Sequence, residues 1–191
     1  MEALHFDYTL TEEEYLAQED TALTRHEFVS GYVRAMAGES TDHNEIAGTL
    51  YAELRRRLLG GPCKTFINGI KFRPLPKAPS LYYYPDVMVA CDPRDTDKRY
   101  RCYPRLVIEV TSESTESIDR SEKMLAYLQN ETLEEYFIVA QDRPEITCFR
   151  RAKGWEREVV SGFDATLELA SVDTTLPLTV IYEGVLRPPQ S

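Results

Sequence analysis

The chain has 191 residues and carries 22 Lys and Arg against 32 Asp and Glu, which gives a formal net charge of −10. This length suits one domain, and a hydrophobic content of 42% suffices for a packed core, which excludes a disordered tail. The acidic balance argues against a protein that holds nucleic acid by counterion release alone. It is compatible with an enzyme that binds a phosphodiester through a metal ion.

The termini and the cysteines bear on the location of the protein. No window approaches the roughly 18 consecutive apolar residues that cross a bilayer, and the acidic segment 1–7 does not resemble a secretory signal. The four cysteines contain no C-x-x-C spacing, so we expect neither a disulfide framework nor a zinc site. These features predict a cytoplasmic protein with reduced thiols and no membrane association. The cysteines are Cys63, Cys91, Cys102 and Cys148.

The first predicted elements are a short helix and a hairpin. Thr11 and Glu14 have the spacing of a capping box, which predicts a helix through about Glu19. Two strand-like runs, 26–29 and 32–36, flank a Ser-Gly pair and are typical of a β-hairpin.

The spacing of the apolar residues changes in the next part of the chain. Apolar residues at three- and four-residue spacing predict an amphipathic helix over 42–59, and the Gly-Gly-Pro sequence at 60–62 ends it. The segments 63–72 and 81–91 each have the composition of one strand, and a proline-rich passage separates them.

The second half of the chain contains the candidate central strands. The apolar run 106–110 is typical of a strand buried on both faces. A predicted helix over 116–129 leads to a second buried strand at 136–140, and this order allows a parallel crossover while the neighbouring strands pair antiparallel. The runs 146–150 and 155–160 predict an antiparallel pair. We therefore expect a mixed α/β fold.

Three charged residues stand out against this framework. Glu109 interrupts the apolar run, and an ionised carboxylate in a core strand costs free energy unless it is compensated. Asp86 lies in another apolar strand directly after Pro85, and Lys123 lies on the helix after Glu109. Each residue alone has an ordinary explanation, a strand end for the acids and a solvated helix face for the lysine.

Taken together, the three residues fit phosphodiester chemistry. Carboxylates on adjacent strands can hold Mg²⁺ or Mn²⁺, which prefer oxygen ligands. Such an ion polarises a phosphoryl oxygen and lowers the pKa of a bound water. A nearby ammonium group can stabilise the charge that develops on the phosphate.

Further positions accompany this set in a fixed order along the chain. They are Glu27 with Gly31, Met36-Ala37-Gly38, His43, Tyr84-Pro85-Asp86-Val87, the run 106–115, Asp119-Arg120 with Lys123 and Tyr127, and Glu135-Tyr136. In this order and spacing, from about Thr11 to Val185, the sequence resembles the Uma-two family of restriction endonuclease-like proteins in the PD-(D/E)XK nuclease superfamily. The resemblance implies a single nuclease domain over residues 1–191. It implies a restriction-endonuclease-like core, a mixed β-sheet flanked by helices, with additional antiparallel strands.

The resemblance also assigns roles to residues. It implies that Asp86 and Glu109 are metal ligands, with the main-chain carbonyl of Val110 as a third. The superfamily pattern places a lysine two residues after the second acid, where this chain has Thr111. The resemblance implies that Lys123 supplies the missing cation from the next helix, and its flexible stem suits that task.

Two more residues complete the candidate catalytic set. The resemblance implies that Glu27 is an accessory acid, and the alternative is an exposed charge on the hairpin. His43 can act as a base near neutral pH, and the alternative is a residue that caps or packs the start of its helix.

Two functions remain open from the sequence. The first is an endonuclease that uses Mg²⁺ or Mn²⁺ to hydrolyse DNA phosphodiester bonds, and a homodimer would suit the cutting of both strands. The second is a catalytically degenerate nuclease fold that acts as a DNA- or protein-binding module. The net charge of −10 and Thr111 favour the second function.

Overall fold

The computed structural model describes residues 9–36, 38–77, 80–111 and 122–188. The strands are β1 (His26–Val29), β2 (Tyr32–Ala35), β3 (Lys64–Ile67), β4 (Lys71–Phe72), β5 (Leu81–Tyr82), β6 (Val87–Ala90), β7 (Tyr100–Arg101), β8 (Pro104–Thr111), β9 (Glu135–Ala140), β10 (Glu145–Arg150), β11 (Arg157–Ser161), β12 (Thr166–Leu169) and β13 (Thr174–Pro177). The helices are α1 (Glu12–Glu19), α2 (Thr41–Leu58), α3 (Met124–Tyr127) and α4 (Leu178–Ile181), with 3-10 turns at Arg151–Lys153 and Ala170–Val172.

A six-stranded mixed sheet forms the centre of the fold. Its strand order is β11-β10-β9-β8-β6-β3. The pair β8 and β9 is parallel, and the other neighbours are antiparallel. The predicted parallel crossover after the 106–110 strand is therefore present, and the predicted strand pair 146–150 and 155–160 corresponds to β10 and β11.

Smaller sheets lie beside the central one. The hairpin β1 and β2 joins β5 in a three-stranded sheet, while β12 pairs with β13 and β4 pairs with β7. In the hairpin turn Ser30 and Gly31 both have positive φ, at 50° and 98°. Helix α1 has the predicted capping box, with Thr11 and Glu14 bonded in both directions, and Tyr15 stacks on Phe28 of β1 with ring centroids 4.7 Å apart.

The central strand β8 is buried on both faces, as its apolar run predicts. Ile108 and Val110 belong to the core that α2 covers, because α2 directs a buried stripe that includes Ile46 and Leu50 toward the sheet. On the opposite face Val107 belongs to a second core. Burial of both faces leaves the ends of β8 as the places where its polar groups can react.

Two of the predicted strands are interrupted. The segment 63–72 divides into β3 and β4 at Asn68 and Gly69, which both have positive φ. The segment 81–91 divides into β5 and β6, because Pro85 has no N–H for a ladder hydrogen bond. The two breaks face each other, since the N–H of Asn68 donates to the main-chain oxygen of Asp86 at 3.1 Å.

The expectation of four reduced thiols is wrong for one pair. Cys63 and Cys91 form a disulfide. The cause lies in the strand register, because Lys64 pairs with Ala90 across β3 and β6 and the next residues outward are the two cysteines. Cys102 and Cys148 are free and buried, and burial raises the pKa of each thiol to about 11.

Part of the predicted helix over 116–129 lies outside the described residues. The described portion begins at Glu122 and contains α3, whereas 112–121, with Asp119 and Arg120, and Ala37 of the resemblance are not among the described positions. Within the described ranges, no helix combines the length and the apolar character that crossing a membrane requires.

Candidate active site

The candidate site lies where β6 begins and β8 ends. The antiparallel register pairs Val87 with Ile108, so the next positions outward are Asp86 and Glu109. Both side chains are withdrawn from water, since Asp86 is 5% exposed and Glu109 is 2% exposed. A charge at either position therefore needs a partner inside the protein.

Asp86 is held by contacts through both carboxylate oxygens. Its Oδ2 accepts a hydrogen bond from the main-chain N–H of Val110 at 2.6 Å. Its Oδ1 lies 3.1 Å from Nε2 of His43. Because β6 begins only at Val87, the Asp86 carboxylate acts as the acceptor for the N–H of Val110 in place of a main-chain oxygen. The two contacts together fix the orientation of the carboxylate.

His43 reaches the site because helix α2 begins beside it. Ser40 is the N-cap of α2, and its Oγ accepts from the N–H of His43 at 3.1 Å. The same hydroxyl donates to Oε1 of Gln141 at 2.9 Å, and the N–H of Gln141 donates to the main-chain oxygen of Thr111 at 3.0 Å. The start of the helix is therefore tied to the ends of β8 and β9.

Glu39 joins this group, although the sequence patterns did not indicate it. Its Oε2 lies 3.8 Å from Nε2 of His43 and accepts from Nδ2 of Asn68 at 3.4 Å. One ligand atom each from Glu39, His43 and Asp86 lie within 4.8 Å of one another. The available signal was the four-residue spacing between Glu39 and His43, which spans the start of a helix.

A second group surrounds Glu109. Its Oε1 accepts from the hydroxyl of Tyr127 at 3.0 Å and lies 3.5 Å from Nζ of Lys123. The same ammonium lies 3.1 Å from Oε1 of Glu27. Lys123 is only 8% exposed, so it is not the solvated helix lysine of the ordinary explanation.

Glu27 has a further cationic partner on the hairpin. Arg34, which is opposite Glu27 in the register of β1 and β2, donates to Oε2 of Glu27 from Nη2 at 2.6 Å. Burial alone lowers the pKa of Arg34, but the hydrogen bond and charge of Glu27 raise it above the ordinary value. Glu27 is buried and is therefore not the exposed hairpin charge of the alternative explanation.

The structure thus brings the predicted site residues to one end of the sheet in two groups. Asp86 contacts His43 and Val110, and Glu109 contacts Lys123, which in turn contacts Glu27. The two groups meet at the consecutive residues Glu109 and Val110. Carboxylates, an imidazole and an ammonium at one strand end form a set that can bind a divalent cation and a phosphate.

Comparison with known proteins places the chain among nuclease-like sequences. The model of the Uma2 family, described as "Putative restriction endonuclease", matches residues 12–180. The uncharacterized protein slr1290 of Synechocystis sp. is 34% identical over 179 residues, covering 92% of this chain and 93% of that protein. The uncharacterized protein sll1609 of the same organism is 28% identical over 166 residues, covering 84% and 93%.

A solved structure shares the fold. The crystal structure of a protein from Anabaena variabilis, described as "a putative nuclease belonging to DUF820", matches with a TM-score of 0.75 at 15% identity. The match covers 93% of this chain and 99% of that chain. The predicted restriction-endonuclease-like α/β fold is thereby confirmed.

Proposed function

The chain belongs to the Uma2 family described as "Putative restriction endonuclease", and from this membership we propose that it is a metal-dependent endonuclease that hydrolyses phosphodiester bonds in DNA. The observation that carries the proposal is the placement of Lys123, buried 3.5 Å from Glu109 at the strand end where Asp86 also lies. An ammonium group beside two carboxylate positions matches the needs of phosphoryl transfer, which are a cation site and a compensating positive charge.

The donor groups fit Mg²⁺ or Mn²⁺. We propose Asp86, Glu109 and the main-chain oxygen of Val110 as ligands. Since the N–H and the C=O of one strand residue point to the same edge, the bond from Val110 N–H to Asp86 supports a carbonyl on that side. When bound, the ion polarises a phosphoryl oxygen and lowers the pKa of a coordinated water.

The protein's own side chains then have distinct tasks. Lys123 can donate to a phosphate oxygen and stabilise the charge that develops as the water oxygen bonds to phosphorus and the bond to the leaving sugar oxygen breaks. Glu27 and Tyr127 hold the ammonium and the Glu109 carboxylate in place through the contacts at 3.1 Å and 3.0 Å. His43 orients Asp86 through the contact at 3.1 Å.

The assignment of Lys123 accounts for the missing lysine at position 111, where this chain has Thr111. Thr111 occupies the position of the usual lysine, but it is buried at 3% exposure and its main-chain oxygen is bonded to Gln141. A cation delivered from the helix reaches Glu109 without any change in the strand. We further propose a single nuclease domain over residues 1–191 that acts as a homodimer, because two copies related by a two-fold axis suit the cleavage of both strands.

Nicking of supercoiled plasmid DNA tests the proposal. With Mg²⁺ or Mn²⁺ the wild-type protein should convert supercoiled DNA to the open circle, and EDTA should abolish the reaction. Asp86→Asn and Lys123→Met should each lower the rate by about 100-fold or more, because each removes a group that stabilises the transition state. Glu13→Gln, at an exposed position of α1, serves as the control and should nick as the wild type does.

Two results would contradict the assignment. Equal nicking by the wild type and Asp86→Asn would indicate a contaminating nuclease. DNA binding without metal-dependent nicking would favour the degenerate binding module, which the net charge of −10 and Thr111 also favour.

A further inference from the structure

We propose that Arg25 and Lys71, which both lie over the ring of Tyr84, form a cationic patch that binds a backbone phosphate of DNA next to the phosphate that is cleaved. The inference rests on the proposed function, because it names a contact by which the nuclease site holds its substrate strand. It assigns a task to two residues that take no part in the proposed metal binding or in the chemistry.

Lys71 is unusual because it is a buried cation, with 6% exposure. The other two buried cations of the described ranges, Lys123 and Arg150, each form ion pairs with two glutamates. For Lys71 the same ranges contain neither an ion pair nor a hydrogen bond of the ammonium group. Since a buried ammonium group without a counter-ion costs free energy, its position favours a ligand that brings a negative charge.

The acids that act on Lys71 do not compensate for its burial. Burial lowers the pKa of Lys71 below its ordinary value, although the charges of Glu19 and Asp20 raise it. Oε1 of Glu19 accepts from the main-chain N–H of His26 at 2.8 Å and from the hydroxyl of Tyr84 at 2.7 Å. Its Oε2 lies 3.0 Å from Nδ1 of His26. Glu19 thus binds other groups, and Nζ of Lys71 lies 5.6 Å from the ring centroid of Tyr84.

Arg25 brings a second cation to the same ring. Its Cζ lies 6.0 Å from the centroid of Tyr84, and the residue is exposed, so the guanidinium is accessible from water. The guanidinium also lies against Gly69, where a Cβ atom would be only 3.1 Å from Nη2 of Arg25. The absence of a side chain at Gly69 therefore leaves room for a planar group whose N–H donors suit a phosphate.

The patch lies beside the candidate site along two segments of the chain. Gly69 follows Asn68, whose N–H donates to the main-chain oxygen of Asp86 at 3.1 Å. Tyr84 precedes Asp86 by two residues, which span at most about 7 Å. Successive phosphates of one strand advance about 3.4 Å along the duplex axis. A strand whose cleaved phosphate lies at Asp86 can therefore place a neighbouring phosphate at the patch.

A backbone phosphate is the ligand that the chemistry of the patch favours. Its charged oxygens accept from a guanidinium and from an ammonium group. The hydroxyl of Tyr84 donates to Glu19, and contacts to phosphates carry no sequence information directly. The net charge of −10 repels DNA from the molecule as a whole, so cations beside the cleaved phosphate have a large effect on binding.

Binding of a short labelled duplex in EDTA, followed by fluorescence anisotropy between about 50 and 200 mM salt, tests the proposal. Arg25→Gln and Lys71→Met should each weaken binding about tenfold. Each should also reduce the slope of log affinity against log salt by about 0.9, the change for one lost phosphate contact. Arg157→Gln and Lys64→Met, at exposed positions of β11 and β3, remove the same charge elsewhere and should bind as the wild type does.

The thermal stability of Lys71→Met separates a binding role from a structural one. Because the charged form of Lys71 is disfavoured in the folded protein, its charge opposes folding. Lys71→Met should therefore raise Tm while it weakens DNA binding. A lower Tm with wild-type affinity would show that Lys71 serves the fold and would overturn the proposal. If Lys71→Met is destabilised and also binds weakly, Arg25→Gln decides the point.

The outcomes separate this inference from the proposed function. Wild-type affinity and salt slope in Arg25→Gln, or a wild-type protein that does not bind the duplex at the lowest salt, would overturn the patch. Neither result bears on metal-dependent plasmid nicking, which tests the nuclease. Weaker binding by both patch variants, without nicking by the wild type, would support the patch and count against the nuclease.

Discussion

At the scale of single residues, the most consequential side chain is Lys123. One ammonium group lies 3.5 Å from Glu109 and 3.1 Å from Glu27, and all three side chains are buried. Removal of one partner from such a group leaves an uncompensated charge, whereas removal of an opposite pair together can be nearly neutral. The site therefore depends on its lysine for stability as well as for chemistry.

A double-mutant cycle tests this dependence. Lys123→Met should lower the free energy of unfolding by about 3 kcal/mol, and Glu109→Gln in the same chain should recover a large part of the loss. Urea denaturation of the wild type, both single variants and the double variant measures the coupling. Lys64→Met, at an exposed position of β3, should change stability by less than about 0.5 kcal/mol. Additive losses in the cycle would show that the two charges act independently.

The sequence allowed some members of the site to be predicted and not others. Asp86 and Glu109 could be identified because each is an acid within an apolar run, and Lys123 because it follows on the next helix. Glu39 carried no such contrast, since it precedes the periodic part of α2 and its partner Asn68 lies 29 residues away. Contacts over that distance depend on how the strands break, which local patterns do not show.

At the scale of elements, the hairpin and the broken strands show what local patterns can specify. The hairpin, α1 and α2 follow from a turn, a capping box and a 3.6-residue period, which are all local signals. The interruptions at Asn68 and at Pro85 were not predicted, because apolar residues resume directly after each of them, at Ile70 and at Val87. At each break the chain passes from one sheet to another, since β3 and β6 belong to the central sheet while β4 and β5 belong to smaller ones. Such a change of partner depends on tertiary contacts, which local sequence patterns do not show.

The hairpin turn offers a prediction at this scale. Ser30 has a φ of 50°, a conformation that asparagine adopts more readily than serine because its side chain tolerates the left-handed region. Ser30→Asn should therefore raise the free energy of unfolding, by a fraction of the roughly 1–2 kcal/mol that a left-handed residue costs. Ser30→Val should lower it, because a β-branched side chain is strained at this φ. Thermal unfolding measures both, and equal stability of the two variants would contradict the turn geometry.

At the scale of the whole molecule, Glu12 connects parts that are far apart in sequence. Its carboxylate accepts from Arg73 at 2.9 Å, from Ser80 at 2.5 Å and from Tyr82 at 2.6 Å. Burial raises the pKa of Glu12. The hydrogen bonds from Ser80 and Tyr82 and the charge of Arg73 together lower the pKa by more than burial raises it, so the pKa lies below the ordinary value of 4.5. The ionised form therefore stabilises the attachment of α1 to β5.

This shift has a defined pH dependence. A carboxyl whose pKa is lowered in the folded state contributes stability above its unfolded pKa and loses that contribution as the pH falls through the folded value. The wild type should thus exceed Glu12→Gln in Tm by a constant amount above about pH 5.5, and the difference should shrink toward pH 3. Calorimetry across this range tests the expectation, with the exposed neighbour Glu13→Gln as the control. A difference that grows as the pH falls would contradict it.

The disulfide between Cys63 and Cys91, which are 28 residues apart in sequence, closes the intervening polypeptide into a covalent ring. Both facing interruptions, at Asn68 and at Asp86, are contained in that ring. A protease cut anywhere between the two cysteines would leave the resulting pieces attached until a reductant is added. Strands β3 and β6, whose inner ends lie at Asn68 and Asp86, are therefore joined covalently as well as by their ladder of hydrogen bonds, and neither can be released alone.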